Sequence, residues 1–219
     1  MTASDWPPYV DANMDKKGFA VVLVTEALKR AGYSTSLTIE PWPMALEATQ
    51  NGSYDVDCAL WFTEERATTL AFSKPYVENP IIFIKRSESD FEFRDRSDLS
   101  GLKVGIVHDF AYREQAYDTT GIELVEGDSV RENIRRLLAG DIDLVVADGR
   151  VALNEANQIQ AAENITIIRQ PLSTRGLRIA VSKSRADHSE IIAKFDQAIA
   201  SMKDDGTFNT ILATYRINY

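Results

Sequence analysis

RRLLAGDIDLVVAD, residues 135–148, is the stretch on which the reading of this chain turns. A helical pattern stops at Gly140, and an apolar run of strand length follows it to Ala147. Glycine just past a helix end takes the left-handed conformation at little cost, so it marks such a stop. The same order occurs earlier in EATQNGSYDVDCALW, residues 47–61. Both stretches carry G-x-x-D ahead of the strand, Gly52 with Asp55 and Gly140 with Asp143. Helix–glycine–strand joints are common. The echo is therefore either coincidence or the mark of two similar α/β lobes.

Working outward, helical and strand patterns alternate along the whole chain, which argues for α/β architecture. Helices are predicted over residues 19–31, 44–50, 110–117, 151–160 and from Ser129 to 138. Two more close the chain, separated by Gly206. The first carries Glu26 and Arg30 at i,i+4 and stops at Gly32. Ser129 and Glu132 form a capping-box pattern. Strands are predicted near 37–39 and over 56–60, 81–85, 103–107, 122–125, 144–147, 165–168 and 177–181. The polar, charged stretch 87–100 reads as a connection between bodies.

Composition sets bounds. The chain has 219 residues, 44% of them apolar and 26% charged, enough for one large domain or two of about 100 residues. A formal net charge of -9 makes it a poor general binder of nucleic acid or of an anionic membrane. No apolar run approaches the roughly 18 residues of a membrane span. No basic segment followed by an apolar one marks a signal peptide. Cys58 is the only cysteine; it excludes an internal disulfide and, within VDCAL, reads as a buried packing residue. One cysteine and two distant histidines, His108 and His188, argue against zinc. There is no phosphate-cradling glycine loop and no GxSxG elbow. The sequence calls for no metal and no cofactor.

In open α/β sheets, ligands bind beyond the carboxyl ends of the strands. The first strand of the echo ends at Leu60-Trp61, with Thr63 and Arg66 following. The second ends at Ala147-Asp148. If the lobes face each other, an arginine and an aspartate line one cleft, as a zwitterion requires. Each residue has a plainer reading beside this one. Thr63 can be a helix N-cap, with Glu64 and Glu65 favoured in the first turn. Arg66 can be paired with a surface acid, although a first-turn cation opposes the helix dipole and an anionic ligand would reverse that cost. Asp148 can be the N-cap of the next helix. SDWPPYVD sets Trp6 and Tyr9 around two prolines, either as an apolar wall over a ligand or as a loop packed on its own lobe. Trp42, between Pro41 and Pro43, also follows a strand end and invites the wall reading.

Several motifs occur together and in order: WPPY at 6–9, GFAVVLVTEAL at 18–28, NGSYDV at 51–56, TEER at 63–66, FSKPY at 72–76, DLSGLKVGI at 98–106, LLAGDIDLVVAD at 137–148 and DGTFNTI at 205–211. With them the chain resembles the bacterial extracellular solute-binding proteins of family 3, of the polar amino-acid type, over nearly its whole length. The resemblance implies the type II periplasmic binding fold, two α/β lobes joined by a two-stranded hinge and closing over a ligand. Lobe 1 would comprise residues 1–85 and 177–219, and lobe 2 residues 86–176. It further implies a non-catalytic, monomeric receptor in the periplasm or outside the cell, its signal peptide removed. Such a receptor delivers an amino acid or related organic acid to the membrane permease of an ABC importer. The arginine of T-x-x-R, here Arg66, would hold the α-carboxylate, and the aspartate after the lobe-2 strand, here Asp148, the α-ammonium.

The chain departs from the family pattern in three places. Trp61 stands where amino-acid binders commonly have a small residue. Asp109-Phe110-Ala111-Tyr112 stands where many have Gly-Ser/Thr-Thr. Backbone N–H groups at Phe110, Ala111 and Tyr112 could still receive an anion at a helix start, but the hydroxyl is gone and Asp109 adds opposing charge. The expected pocket is accordingly more aromatic and smaller. The family's first strand also starts several residues further ahead of the aromatic loop than residues 1–4 allow, which reads as a trimmed start. Two other readings share the fold. One is a sensor domain of a signalling protein. The other is an enzyme resembling cyclohexadienyl dehydratases, with Glu40, Glu64 or Glu65 as acid, although no catalytic pair is recognisable and His108 has no identifiable partner.

Overall fold

The computed structural model describes residues 1–107 and 121–215. The chain forms two compact units, Met1–Glu78 with Gly176–Tyr219, and Asn79–Arg175. Both boundaries fall inside ten-residue strands, β5 (Val77–Arg86) and β10 (Ser173–Ser182). The sequence places these crossings at residues 85 and 176. No turn residue marks the first one, because the strand runs through it.

The first unit is built on the sheet order β2–β1–β3–β10, with β4 also on β10. Here β1 is Thr2–Ala3, β2 Thr38–Ile39, β3 Asp57–Trp61 and β4 Leu70–Phe72. β1 runs parallel to β2 and β3, and β10 antiparallel to β3 and β4. Helix α1 (Phe19–Arg30) buries Phe19, Leu23, Val24, Ala27 and Leu28, the i, i+4, i+5, i+8, i+9 stripe of a core-facing helix. Two C-terminal helices of the same unit, ending the described chain, pack on it. Arg30 ties α1 to them, donating from Nη1 to Asp205 at 2.5 Å and from Nη2 to Thr207 Oγ1 at 2.8 Å.

The N-terminus of α1 has no side-chain cap. The aromatic loop supplies one instead: Phe19 N–H donates to Pro8 O at 3.4 Å and Ala20 N–H to Tyr9 O at 3.0 Å. Helix-end N–H groups need such partners. The close approach depends on Gly18, whose φ is +98° and where a Cβ would lie 2.3 Å from Tyr9 O. Helix α2 (Trp42–Gln50) begins two residues earlier than the sequence suggests. Pro43 fits in a first helical turn, where its missing N–H costs nothing, and this brings Trp42 into the helix. A third short helix, α3 (Glu64–Ala67), follows β3.

The second unit has the sheet order β5–β8–β6–β7, with β9 (Ile165–Ile167) on β5. β8 (Leu144–Asp148) is buried at all five positions and runs parallel to β6 (Lys103–Val107), which is parallel to β7 (Glu123–Gly127). Helix α4 (Val130–Ala139) ends at left-handed Gly140 and α5 (Gly149–Gln158) starts directly after β8. Ser129 Oγ accepts from Glu132 N–H as predicted, but the Glu132 carboxylate reaches past the cap to Asp128 N–H. The capping box is therefore only half formed.

Stretch 87–100 is not a connection between the bodies; it belongs wholly to the second unit. Lys85 Nζ donates to the carbonyls of Ser89 and Phe91, and Phe93 meets Phe83 with ring centroids 4.9 Å apart. The helix predicted over 110–117 lies outside the described residues. The helices closing the chain are α6 (His188–Asp204) and α7 (Thr207–Thr214), divided at left-handed Gly206.

Candidate functional site

In the first unit the candidate residues gather at the carboxyl end of β3. Thr63 caps α3, its Oγ1 accepting from Arg66 N–H at 3.1 Å, with Glu64 and Glu65 in the first turn. Arg66 does not extend away from this turn. Its Nη1 donates to Trp61 O at 2.9 Å, and its guanidinium carbon lies 4.9 Å from the Trp42 ring centroid. A guanidinium on an indole face gains cation–π attraction of about 0.5–1 kcal/mol or more. The strand-end carbonyl and the indole thus fix the direction of the arginine. Trp42 acts here as its seat, a role invisible in sequence because residues 24 apart meet only in space.

The aromatics form one connected row. Trp61 meets Trp6 edge to face at 5.4 Å, Trp6 stacks on Tyr9 at 4.4 Å, and Tyr9 leans on Phe19 at 4.9 Å. Trp61 is 6% exposed, and Tyr9 and Phe19 are fully buried. Tyr9 therefore belongs to the core and supports Trp6, which is half-buried. Of this row Trp6 carries the exposed surface, with a thin margin at Trp61. Phe62 turns away, 38% exposed, and packs on Phe72 at 5.3 Å.

One residue of this half escaped the sequence reading. Asp57 is buried on β3, and burial pushes its carboxyl up to about 6, against the opposing pull of the Ala59 N–H bond and the Arg66 charge. Oδ1 accepts from Ala59 N–H at 2.9 Å; Oδ2 is buried without a hydrogen-bond partner among the described residues. The signal was an acid standing inside an apolar strand.

In the second unit, Asp148 closes β8 and is 3% exposed. Its Oδ1 accepts from Arg150 N–H at 2.9 Å and Val151 N–H at 3.0 Å, which makes it the N-cap of α5. Oδ2 accepts from Asn79 Nδ2 at 3.0 Å, and Asn79 is fully buried. Phe110, Ala111 and Tyr112 lie outside the described residues. Among the described residues no three His, Cys, Asp or Glu side chains are grouped to hold a metal ion. The chemistry on offer is charge recognition: a seated guanidinium suits a carboxylate, and an anchored aspartate suits a cation.

The family model of the bacterial extracellular solute-binding proteins, family 3, matches residues 1–218, and the chain belongs to that family. Among curated relatives, the ABC transporter arginine-binding protein 1 of Escherichia coli (strain K12) is 26% identical over 216 residues, covering 95% of this chain and 86% of that protein. Among solved structures, an ancestral arginine-binding protein bound to arginine is 27% identical with a TM-score of 0.79, covering 98% of this chain and 96% of that one. A histidine kinase sensor domain with similarity to periplasmic binding proteins has a TM-score of 0.81 at 21% identity, over 98% of this chain and 94% of that one. The last likeness is one of fold alone. The fold is the type II periplasmic binding fold.

Proposed function

We propose that this protein is a non-catalytic receptor for a small zwitterion, an amino acid in the first place, which it hands to the membrane permease of an ABC importer. It works as a monomer on the outer side of the cytoplasmic membrane. Arg66 takes the α-carboxylate and Asp148 the α-ammonium; Thr63 holds the Arg66 turn, and Trp6 and Trp61 cover the apolar part of the ligand. The observation that carries this reading is the seating of Arg66 on Trp42 and the Trp61 carbonyl, directly after the strand whose end the fold uses for ligands. A guanidinium whose direction is fixed before binding loses little entropy on binding. Charge-assisted hydrogen bonds from each end of the zwitterion are worth about 1.5–3 kcal/mol. The arginine-binding relatives support the ligand class.

The test is thermal unfolding against the twenty L-amino acids and a set of small organic acids. A ligand at about 100 times its dissociation constant adds about 2.7 kcal/mol to the stability of the native state. At least one amino acid is expected to raise the melting temperature, and Arg66→Ala to abolish that rise. A flat panel, or a rise that survives Arg66→Ala, overturns the assignment.

A further inference from the structure

We infer that Asn79 is a positioning residue for ligand recognition: its side-chain amide orients the Asp148 carboxylate toward the ligand ammonium. The inference rests on the zwitterion reading above and deepens it. Asp148 has two oxygens with different tasks. Oδ1 is committed to the cap of α5 through two backbone N–H groups. These two bonds hold the carboxylate through one oxygen. The bond from Asn79 Nδ2 to Oδ2, at 3.0 Å, supplies a second point and fixes the plane. An ionised carboxylate only accepts, so the amide nitrogen, and not its oxygen, must face it.

The sequence builds this contact locally. β5 and β8 are antiparallel, with Ile81 opposite Asp148. Asn79 is two residues before Ile81 on the same face of β5, which makes it the diagonal neighbour of Asp148, within side-chain reach. Pro80 follows it, and a residue before proline is restricted to extended conformations. Asn79 is therefore held extended before the contact forms. It is also the first residue of the second unit. It is fully buried, and Asn79→Leu therefore removes the donor while leaving little room for a water to take its place. Asparagine before proline is in general a turn signal, so residue type alone does not point to this contact.

The test compares wild type with Asn79→Ala and with Asn79→Leu, which keeps the volume and removes the donor. Calorimetric titration uses L-arginine and its desamino analogue, 5-guanidinopentanoate. Amide exchange of Arg150 and Val151 reports on the helix cap. Both variants are expected to lose about tenfold in affinity for L-arginine, to change less than about twofold toward the desamino acid, and to keep the protection of both amides. Equal losses for the two ligands, no loss for L-arginine, or loss of protection at Arg150 and Val151 would each overturn the positioning role. If L-arginine does not bind wild type, the zwitterion reading is tested by the amino-acid panel, and the Asn79 contact by a ligand-free measurement. In the free protein the Asn79 side-chain amide must exchange slowly, and faster in Asp148→Ala. Fast exchange in wild type rejects the inference whatever the panel shows.

Discussion

Asp57 holds a buried carboxylate inside a strand, and the strand around it responds to pH. Burial raises its carboxyl from 3.8 to about 6. Between those values the native state holds a proton that the unfolded chain has released. Stability is therefore full below about pH 4 and falls as pH rises through 6. A shift of two units corresponds to about 3 kcal/mol. Asn keeps the acceptor for Ala59 N–H and never ionises, so Asp57→Asn is expected to flatten this fall. Urea unfolding at pH 4 and pH 8 checks it: the variant should gain on wild type between the two, and parallel profiles would remove the argument. At the same scale, Thr63 as a cap and the awkward first-turn Arg66 were readable from residue type and position. The indole beneath Arg66 and the amide beside Asp148 were not. Both arise from tertiary contact, which a linear sequence does not display.

Elements show where sequence rules suffice. Glycines and prolines ended α1, opened α2 and separated α6 from α7 close to their predicted places, because these residues act through local backbone geometry. β5 and β10 came out longer than predicted, running past their apolar runs into polar positions such as Glu78 and Thr174. Helix α1 is the element on which the aromatic row depends, because loop carbonyls cap it. Gly18→Ala would place a methyl 2.3 Å from Tyr9 O at a φ of +98°. It is expected to cost about 2 kcal/mol or more, seen as a lower urea midpoint. The same variant should weaken the near-ultraviolet circular dichroism of the Trp6–Tyr9 stack. A variant as stable as wild type, with that signal unchanged, would show that the loop does not need the approach.

At the scale of the whole molecule, the two-lobe reading came from an echo of helix, glycine and strand together with motif order, and both copies of the echo end in candidate residues. One unit is continuous in sequence and the other is not. Residues 79–175 expressed alone are therefore expected to fold, giving a dispersed NMR spectrum and a cooperative melt. Residues 1–175 should add no second folded unit. A cooperative melt from residues 1–78 within that longer fragment would contradict this.

The discontinuity also has a consequence for how the protein is made. β3, which leads to Arg66, is flanked on one side by β10, a strand that comes far later in the sequence. Until that strand has been synthesised, β3 presents an open edge, the kind of surface that recruits other chains. The second unit needs no strand that follows it in the sequence; the first unit, which carries Arg66, cannot complete its sheet before β10 has been made. A chain cut short before Gly176 would offer chaperones and proteases an unpaired β3 edge.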